Sequence, residues 1–235
     1  MNGVRKGLYA VWYYGWTALL TVAFIPAWVL PRGFLTFGIS IWSRLLTWGL
    51  RVIGGVRVEI RGLDRLAPGA SLIAAKHQSM LDIIPPFAFL PDACFVLKKE
   101  LMAIPLFGQH CAKARLIPVD RQAHAKALRD LVSVARQRIG EGRQLIIFPE
   151  GTRREPGAPA TYKPGVAALY RELALACTPI ATNSGTYLTP AGLPKRPGVV
   201  VFEILEPIPA GLKRGEFMRE LEDRIETAST RLSEG

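Results

Sequence analysis

Two side chains five positions apart, His77 and Asp82, are the best suited in this sequence to moving a proton. A neutral imidazole accepts a proton near physiological pH. A carboxylate on its other ring nitrogen fixes the tautomer and steadies the imidazolium. Geometry restricts where such a pair can work: on one α-helix, residues five apart are separated by about 140° in azimuth. The two side chains meet if His77 lies in a turn leaving a strand and Asp82 in the first turn of a helix. The flanks fit that arrangement. Residues 71–75, an apolar run, read as a buried strand, and Ser79 is a good N-cap that makes Asp82 the third helical residue. The plain alternative is a capping box in which Asp82 only supports the helix start.

A second strand exit strengthens the catalytic reading. Residues 145–148 form an apolar strand that runs directly into Pro149, Glu150, Gly151, Thr152, Arg153 and Arg154. A carboxylate, a flexible glycine, a hydroxyl and guanidinium groups at such an exit can form an anion-binding lip. A solvated turn with surface arginines is the competing reading.

Taken together and in order, these segments resemble the glycerolipid acyltransferases, especially the lysophosphatidate acyltransferases. His77 to Asp82 matches that family's His-x4-Asp motif, and Phe148 to Arg153 its Phe-Pro-Glu-Gly-Thr-Arg motif. Residues 95–101 and 117–121 look like its middle motif region, and Thr178-Pro179-Ile180 like its last motif. The likeness covers about positions 70 to 185. One departure is Lys76, where many members have Asn before the histidine.

The resemblance implies transfer of an acyl group from acyl-CoA or acyl-carrier protein to the free sn-2 hydroxyl of lysophosphatidic acid, giving phosphatidic acid. No covalent acyl-enzyme and no cofactor or metal is then expected. His77 would take the hydroxyl proton, with Asp82 orienting the ring. Arg153, Arg121 and Lys98 are the cations expected near the acceptor phosphate, because guanidinium groups grip phosphate with two parallel hydrogen bonds. Lys98 could instead face the developing oxyanion. Glu150 is expected to orient an arginine or an acceptor hydroxyl, with Gly151 and Thr152 completing the lip. Arg154 reads as a surface residue, and His110 and His124 have no acidic partner at useful spacing. The alternatives are another lysolipid acceptor (a lysophospholipid or an aminolipid) or a non-catalytic lipid-binding membrane protein. A hydrolase is disfavoured because the chain has no nucleophile elbow.

Charge and composition agree with an anionic partner. The 235 residues carry a formal charge of +11 and are 49% hydrophobic. The basic residues are scattered, and no nucleic-acid-binding signature accompanies them, so membrane and phosphate are favoured. Cys94, Cys111 and Cys177 are widely spaced, which argues against a disulfide framework or a zinc site.

The amino end points to a bilayer. No charged residue lies between Lys6 and Arg32, a run long enough to cross a hydrocarbon core of about 30 Å as a helix. Pro26 and Pro31 interrupt it, so a hairpin dipping into one leaflet is equally consistent. Residues 34–53 follow with a polar stripe of Ser40, Arg44, Thr47 and Arg51, which suits a helix in the headgroup boundary or one packed on a globular domain. The expectation is an anchor over residues 1–54 and a catalytic domain over 55–235. The location expected is a bacterial-type inner membrane with the catalytic domain facing the cytoplasm.

Strand and helix signals alternate through the rest. Strands are expected near 56–60, 71–75, 93–97, 116–119, 145–148, 179–182 and 199–205. Helices are expected around 128–139, 165–176 and 217–232. The fold expected is α/β, a mixed sheet flanked by helices of the glycerolphosphate-acyltransferase kind, with an N-terminal membrane-associated helical hairpin.

Overall fold

The computed structural model describes residues 3–120 and 124–234. Two long helices come first, α1 (Gly3–Ala23) and α2 (Arg32–Val52), joined by a 3-10 turn at Ile25–Trp28. Then follow β1 (Val56–Arg61), β2 (Ser71–Ala75), the short α3 (Pro86–Phe89), β3 (Ala93–Lys98), α4 (Phe107–Lys113) and β4 (Ile117–Val119). The chain continues with α5 (His124–Gly140), β5 (Gln144–Ile147), α6 (Pro164–Leu173), β6 (Cys177–Thr182), α7 (Ser184–Tyr187), β7 (Gly198–Ile204) and α8 (Arg214–Glu234).

Among the described residues the strands form one seven-stranded sheet in the order β1-β7-β6-β2-β5-β3-β4. Every pairing is parallel except β6 with β7, so the sheet is mixed. The central strands β2, β5 and β6 are buried at every position. That explains why their sequences are apolar runs rather than alternations, as expected of strands covered on both faces.

The period of two divides those strands between two cores. Ile73, Ala75, Phe95, Ile146 and Ile180 point into a cluster shared with Tyr9 and Tyr13 of α1 and Leu46 and Leu50 of α2. Leu72, Ala74, Cys94, Leu145 and Ile147 point the other way, toward Leu131, Val166, Leu169, Phe217 and Leu221 of α5, α6 and α8. The sheet is therefore enclosed between the N-terminal helix pair and the later helices.

Of the two membrane arrangements expected for the helix pair, the crossing helix is not found among the described residues. Helix α1 stops at Ala23, and among the described residues no helix is long and apolar enough to cross a membrane. Helix α2 turns Leu35, Gly38, Ser43, Leu46, Gly49 and Leu50 inward. Ser43 Oγ donates to the carbonyl of Ile84 at 2.7 Å, while Arg44 and Arg51 stay in solvent. Two glycines let aromatic rings lie against α2: a Cβ at Gly49 would meet the Trp12 indole at 2.1 Å, and one at Gly38 the Phe24 ring at 2.3 Å. Trp12 Nε1 also donates to the Leu45 carbonyl at 3.0 Å. Outward, α1 and α2 leave Val4, Leu8, Val11, Leu19, Val22, Phe34, Phe37, Trp48 and Val52 exposed.

A buried arginine ties the far edge of the sheet. Arg143 is 0% exposed, sits against Asp92 at 3.1 Å, and donates to the carbonyls of Ala93, Ala114 and Arg115. Arg32, the first residue of α2, grips the same Asp92 carboxylate with two donors.

Candidate active site

The parallel strands β2, β5, β3 and β4 all end on one edge of the sheet. In open α/β sheets the carboxyl ends of the strands are where ligands bind. His77 leaves β2 there, its strand continued by the Lys76 N–H bond to the Ile180 carbonyl at 2.9 Å. Ser79 is in extended conformation and begins a 3-10 turn, Met80–Ile83, with its Oγ accepting from the Leu81 N–H at 3.2 Å. Asp82 is therefore the third residue of that turn, in the expected place, although the turn is 3-10 rather than α.

The Asp82 carboxylate folds back over the turn. Its Oδ2 accepts from the backbone N–H groups of Gln78 at 2.6 Å and Ser79 at 2.8 Å, and lies 3.1 Å from His77 Nδ1. The capping box and the His–Asp pair thus coexist in one carboxylate. Asp82 is 1% exposed, which makes the ring orientation rigid. A proton on Nδ1 satisfies this contact and leaves Nε2 with a free lone pair. Among the described residues Nε2 has no hydrogen-bond partner.

One face of the imidazole lies on Phe148, 4.0 Å between centroids and 16° between planes. Phe95 extends the aromatic wall at 5.8 Å from Phe148, and Phe87 continues it at 5.0 Å from Phe95. Phe148 is the residue that carries β5 into the second motif, so the two strand exits are in direct contact. The backbone N–H of Arg154 closes the same junction by donating to the His77 carbonyl at 2.8 Å.

The remaining expected site residues are distributed as follows. Gly151 has φ +67, where an L side chain is strained, and its N–H closes a turn onto the Phe148 carbonyl at 3.0 Å. Thr152 and Arg153 are exposed. Arg153 Nη1 donates to the Pro190 carbonyl at 2.6 Å, the same carbonyl that accepts from the Met80 N–H at 3.0 Å. Arg153 also bears on α1: burial, with Tyr14, pushes the Tyr13 hydroxyl up to about 12, while Arg153 pulls it down. Lys98 ends β3 on the same sheet edge, exposed and 3.2 Å from Glu100. Arg121 lies outside the described residues.

Glu150 needs a correction. It was expected to face an arginine or an acceptor hydroxyl, yet it is 0% exposed and both its oxygens are engaged inward. Oε1 accepts from Lys76 Nζ at 2.7 Å and Oε2 from the His77 backbone N–H at 3.0 Å. Burial raises its pKa, and the Lys76 ammonium works against that rise. Arg154 is also more than a surface residue, since it is half-buried and its backbone holds His77.

Sequence reading missed three participants. Phe148 is legible in sequence as a strand end and as the first residue of the second motif, but not as the ring on which His77 stacks. Lys76 departs from the Asn of the resembled motif, but its sequence neighbours give no hint of its partner Glu150, 74 positions away. Glu226 of α8, which accepts from Lys76 Nζ at 2.8 Å, has no local signal at all. The cysteines are poor nucleophiles here: all three are buried, and burial raises Cys94 to about 11, Cys111 to about 12 and Cys177 further still. Among the described residues no cluster of His, Cys, Asp and Glu could hold a metal ion.

Comparisons with known proteins bear on the family and the fold. The Acyltransferase family model matches residues 57–190. The 1-acyl-sn-glycerol-3-phosphate acyltransferase of Pseudomonas aeruginosa is 34% identical over 215 residues, covering 91% of this chain and 82% of the relative. The alpha form of the enzyme of that name from Homo sapiens is 30% identical over 174 residues, covering 73% of this chain and 61% of the relative. The crystal structure of the 1-acyl-sn-glycerophosphate acyltransferase from Thermotoga maritima superimposes with a TM-score of 0.76 at 19% identity, covering 99% of each chain, and so shares the fold. On the family match and the level of identity, the chain belongs to the family of the 1-acyl-sn-glycerol-3-phosphate acyltransferases.

Proposed function

We propose that this protein moves a fatty acyl group from an acyl thioester to the sn-2 hydroxyl of lysophosphatidic acid, producing phosphatidic acid for phospholipid synthesis. The observation that carries the proposal is the His77 ring, fixed through Nδ1 by a buried Asp82 with Nε2 left open at the carboxyl end of β2. In this reading Nε2 accepts the hydroxyl proton as the acceptor oxygen attacks the thioester carbonyl. The tetrahedral intermediate collapses with cleavage of the C–S bond, and the imidazolium returns its proton to the departing thiolate. A positioned base of this kind contributes about 10² to 10⁴ in rate. Holding the two substrates together supplies much of the rest. A thiolate leaves readily, so the chain's own groups suffice for this route.

Acceptor binding is assigned to Arg153, with Thr152 and the Gly151 turn beside it and Lys98 at the end of β3; Arg121, outside the described residues, is kept as a third candidate cation on its sequence alone. Arg153 is exposed and only lightly committed, to one backbone carbonyl, which leaves guanidinium donors for a phosphate. The donor is acyl-CoA or acyl-carrier protein. Residues 1–54 are read as the anchor and 55–235 as the catalytic domain. The exposed apolar side chains of α1 and α2 support seating in one leaflet of a bacterial-type inner membrane, with the catalytic domain on the cytoplasmic side.

The test is an assay of purified protein against a panel of lysolipid acceptors with acyl-CoA and acyl-carrier donors. Preferential acylation of lysophosphatidate supports the proposal. Preference for an uncharged or zwitterionic lysolipid would move the acceptor assignment elsewhere. Binding without turnover of any acceptor would reject an enzyme altogether.

A further inference from the structure

The Lys76 ammonium is 2% exposed and lies between two carboxylates from distant parts of the chain. It donates to Glu150 Oε1 at 2.7 Å and to both oxygens of Glu226 at 2.8 Å. Glu226 belongs to α8 and also accepts from the Tyr162 hydroxyl at 2.8 Å. The other oxygen of Glu150 receives the His77 N–H. A continuous chain of charge-assisted hydrogen bonds therefore runs from the C-terminal helix to the residue that carries the base.

An isolated Lys–Glu pair at this depth would not explain the arrangement. Removing two charges from water costs several kcal/mol each unless the geometry is good and further hydrogen bonds complete it. Here both oxygens of Glu150 and both of Glu226 are used, and burial drives the Tyr162 hydroxyl far above its ordinary value, keeping it a donor. Lys76 and Glu150 are buried while the Glu226 side chain is 28% exposed at the outer end, and a network whose buried members are all satisfied is rigid. The rigidity is delivered to one useful place. Glu150 cannot touch the acceptor, but it fixes the backbone at His77 from one side while Asp82 fixes the ring from the other.

We infer that Lys76 and Glu226 are positioning residues for His77, so that helix α8 sets the placement of the catalytic base through Lys76 and Glu150. This rests on the acyltransfer reading for its kinetic consequence but not for its structural one. Loss of the Glu226 contact would let the Lys76 ammonium and the Glu150 carboxylate shift together. The His77 N–H would move with them, and a displacement of well under an ångström is enough to slow a positioned reaction by about tenfold or more.

The test uses the full-length protein with Glu226→Gln and Tyr162→Phe, both near-isosteric, alongside wild type. In steady-state assays Glu226→Gln is expected to lower kcat by about tenfold with the KM of lysophosphatidate within about twofold, and Tyr162→Phe to fall between it and wild type. In amide NMR the His77 proton, bonded to a carboxylate in wild type, is expected to move upfield in Glu226→Gln. An unchanged kcat and an unmoved His77 resonance in folded Glu226→Gln would overturn the inference, as would a loss confined to KM. If Glu226→Gln does not fold, Tyr162→Phe decides by the same two readouts. If wild type acylates no lysolipid, the functional reading fails on its own and the NMR arm still decides the positioning claim.

Discussion

The His77 imidazole is stacked on the Phe148 ring at 4.0 Å, so the two motifs of the site, 71 residues apart in sequence, touch through their aromatic faces. Asp82 fixes one ring atom and Phe148 fixes the ring plane. Together they leave the imidazole a single orientation from which Nε2 can work.

Replacing Phe148 by Leu removes the stack while keeping an apolar side chain. Aromatic pairs are worth about 0.5–1.5 kcal/mol beyond the area they bury. The expected result is a several-fold fall in kcat with little change in the KM of either substrate, measured in steady-state assays at saturating donor.

Asp82→Asn tests the orienting carboxylate. Asparagine can mimic the shape but cannot serve all three of the donors now gathered on Oδ2. Turnover is expected to fall by about 10² to 10⁴. The melting temperature should fall modestly too, because the cap at Ser79 is weakened, a loss typically of about 1 kcal/mol.

Arg153→Ala tests the acceptor lip. Because Arg153 is exposed and outside the core, the fold should be unaffected. The KM for lysophosphatidate is expected to rise about tenfold or more, consistent with losing a charge-assisted hydrogen bond of roughly 1.5–3 kcal/mol, with kcat changed less. An unchanged acceptor KM would remove Arg153 from the lip.

Acid stability should depend on Asp92. Burial by itself would raise that carboxyl, but Arg32 and Arg143 outweigh it and hold it below the usual aspartate range. A carboxyl lowered in the folded state stabilises the fold above its unfolded value, about 3.9, and the contribution disappears as pH falls through the lowered folded value. The melting-temperature gap between wild type and Asp92→Asn is therefore expected to be widest at neutral pH and to narrow below about pH 4. Thermal scans across pH 3 to 7 check the sign.

Much of this molecule was legible because the central strands are buried on both faces. Runs such as residues 71–75 and 145–148 therefore stand out between turns, and the observed β2 and β5 fall within one residue of them. Helices α5, α6 and α8 followed from their amphipathic spacing. The short α3, α4 and α7 give no periodic signal, and nothing local announces that β7 runs antiparallel to β6. The first helix pair was harder for a physical reason. Helix α1 is apolar all round beyond Lys6, so a sequence cannot say which side of it faces the sheet, and in α2, despite its polar stripe, Gly38 and Gly49 acquire meaning only once Phe24 and Trp12 lie across them. At the site, the His77–Asp82 pair could be read from its N-cap, since those contacts are local. The inward turn of Glu150 could not, because Lys76 meets Glu150 across 74 positions and Glu226 across 150.

The most direct test of the account is the turnover of His77→Ala with lysophosphatidate and an acyl-CoA donor, compared with wild type at equal folded concentration. The account predicts a loss of kcat of about 10² to 10⁴ with acceptor binding retained, since Arg153 and its neighbours are untouched. Turnover within a few-fold of wild type by the folded variant would contradict it.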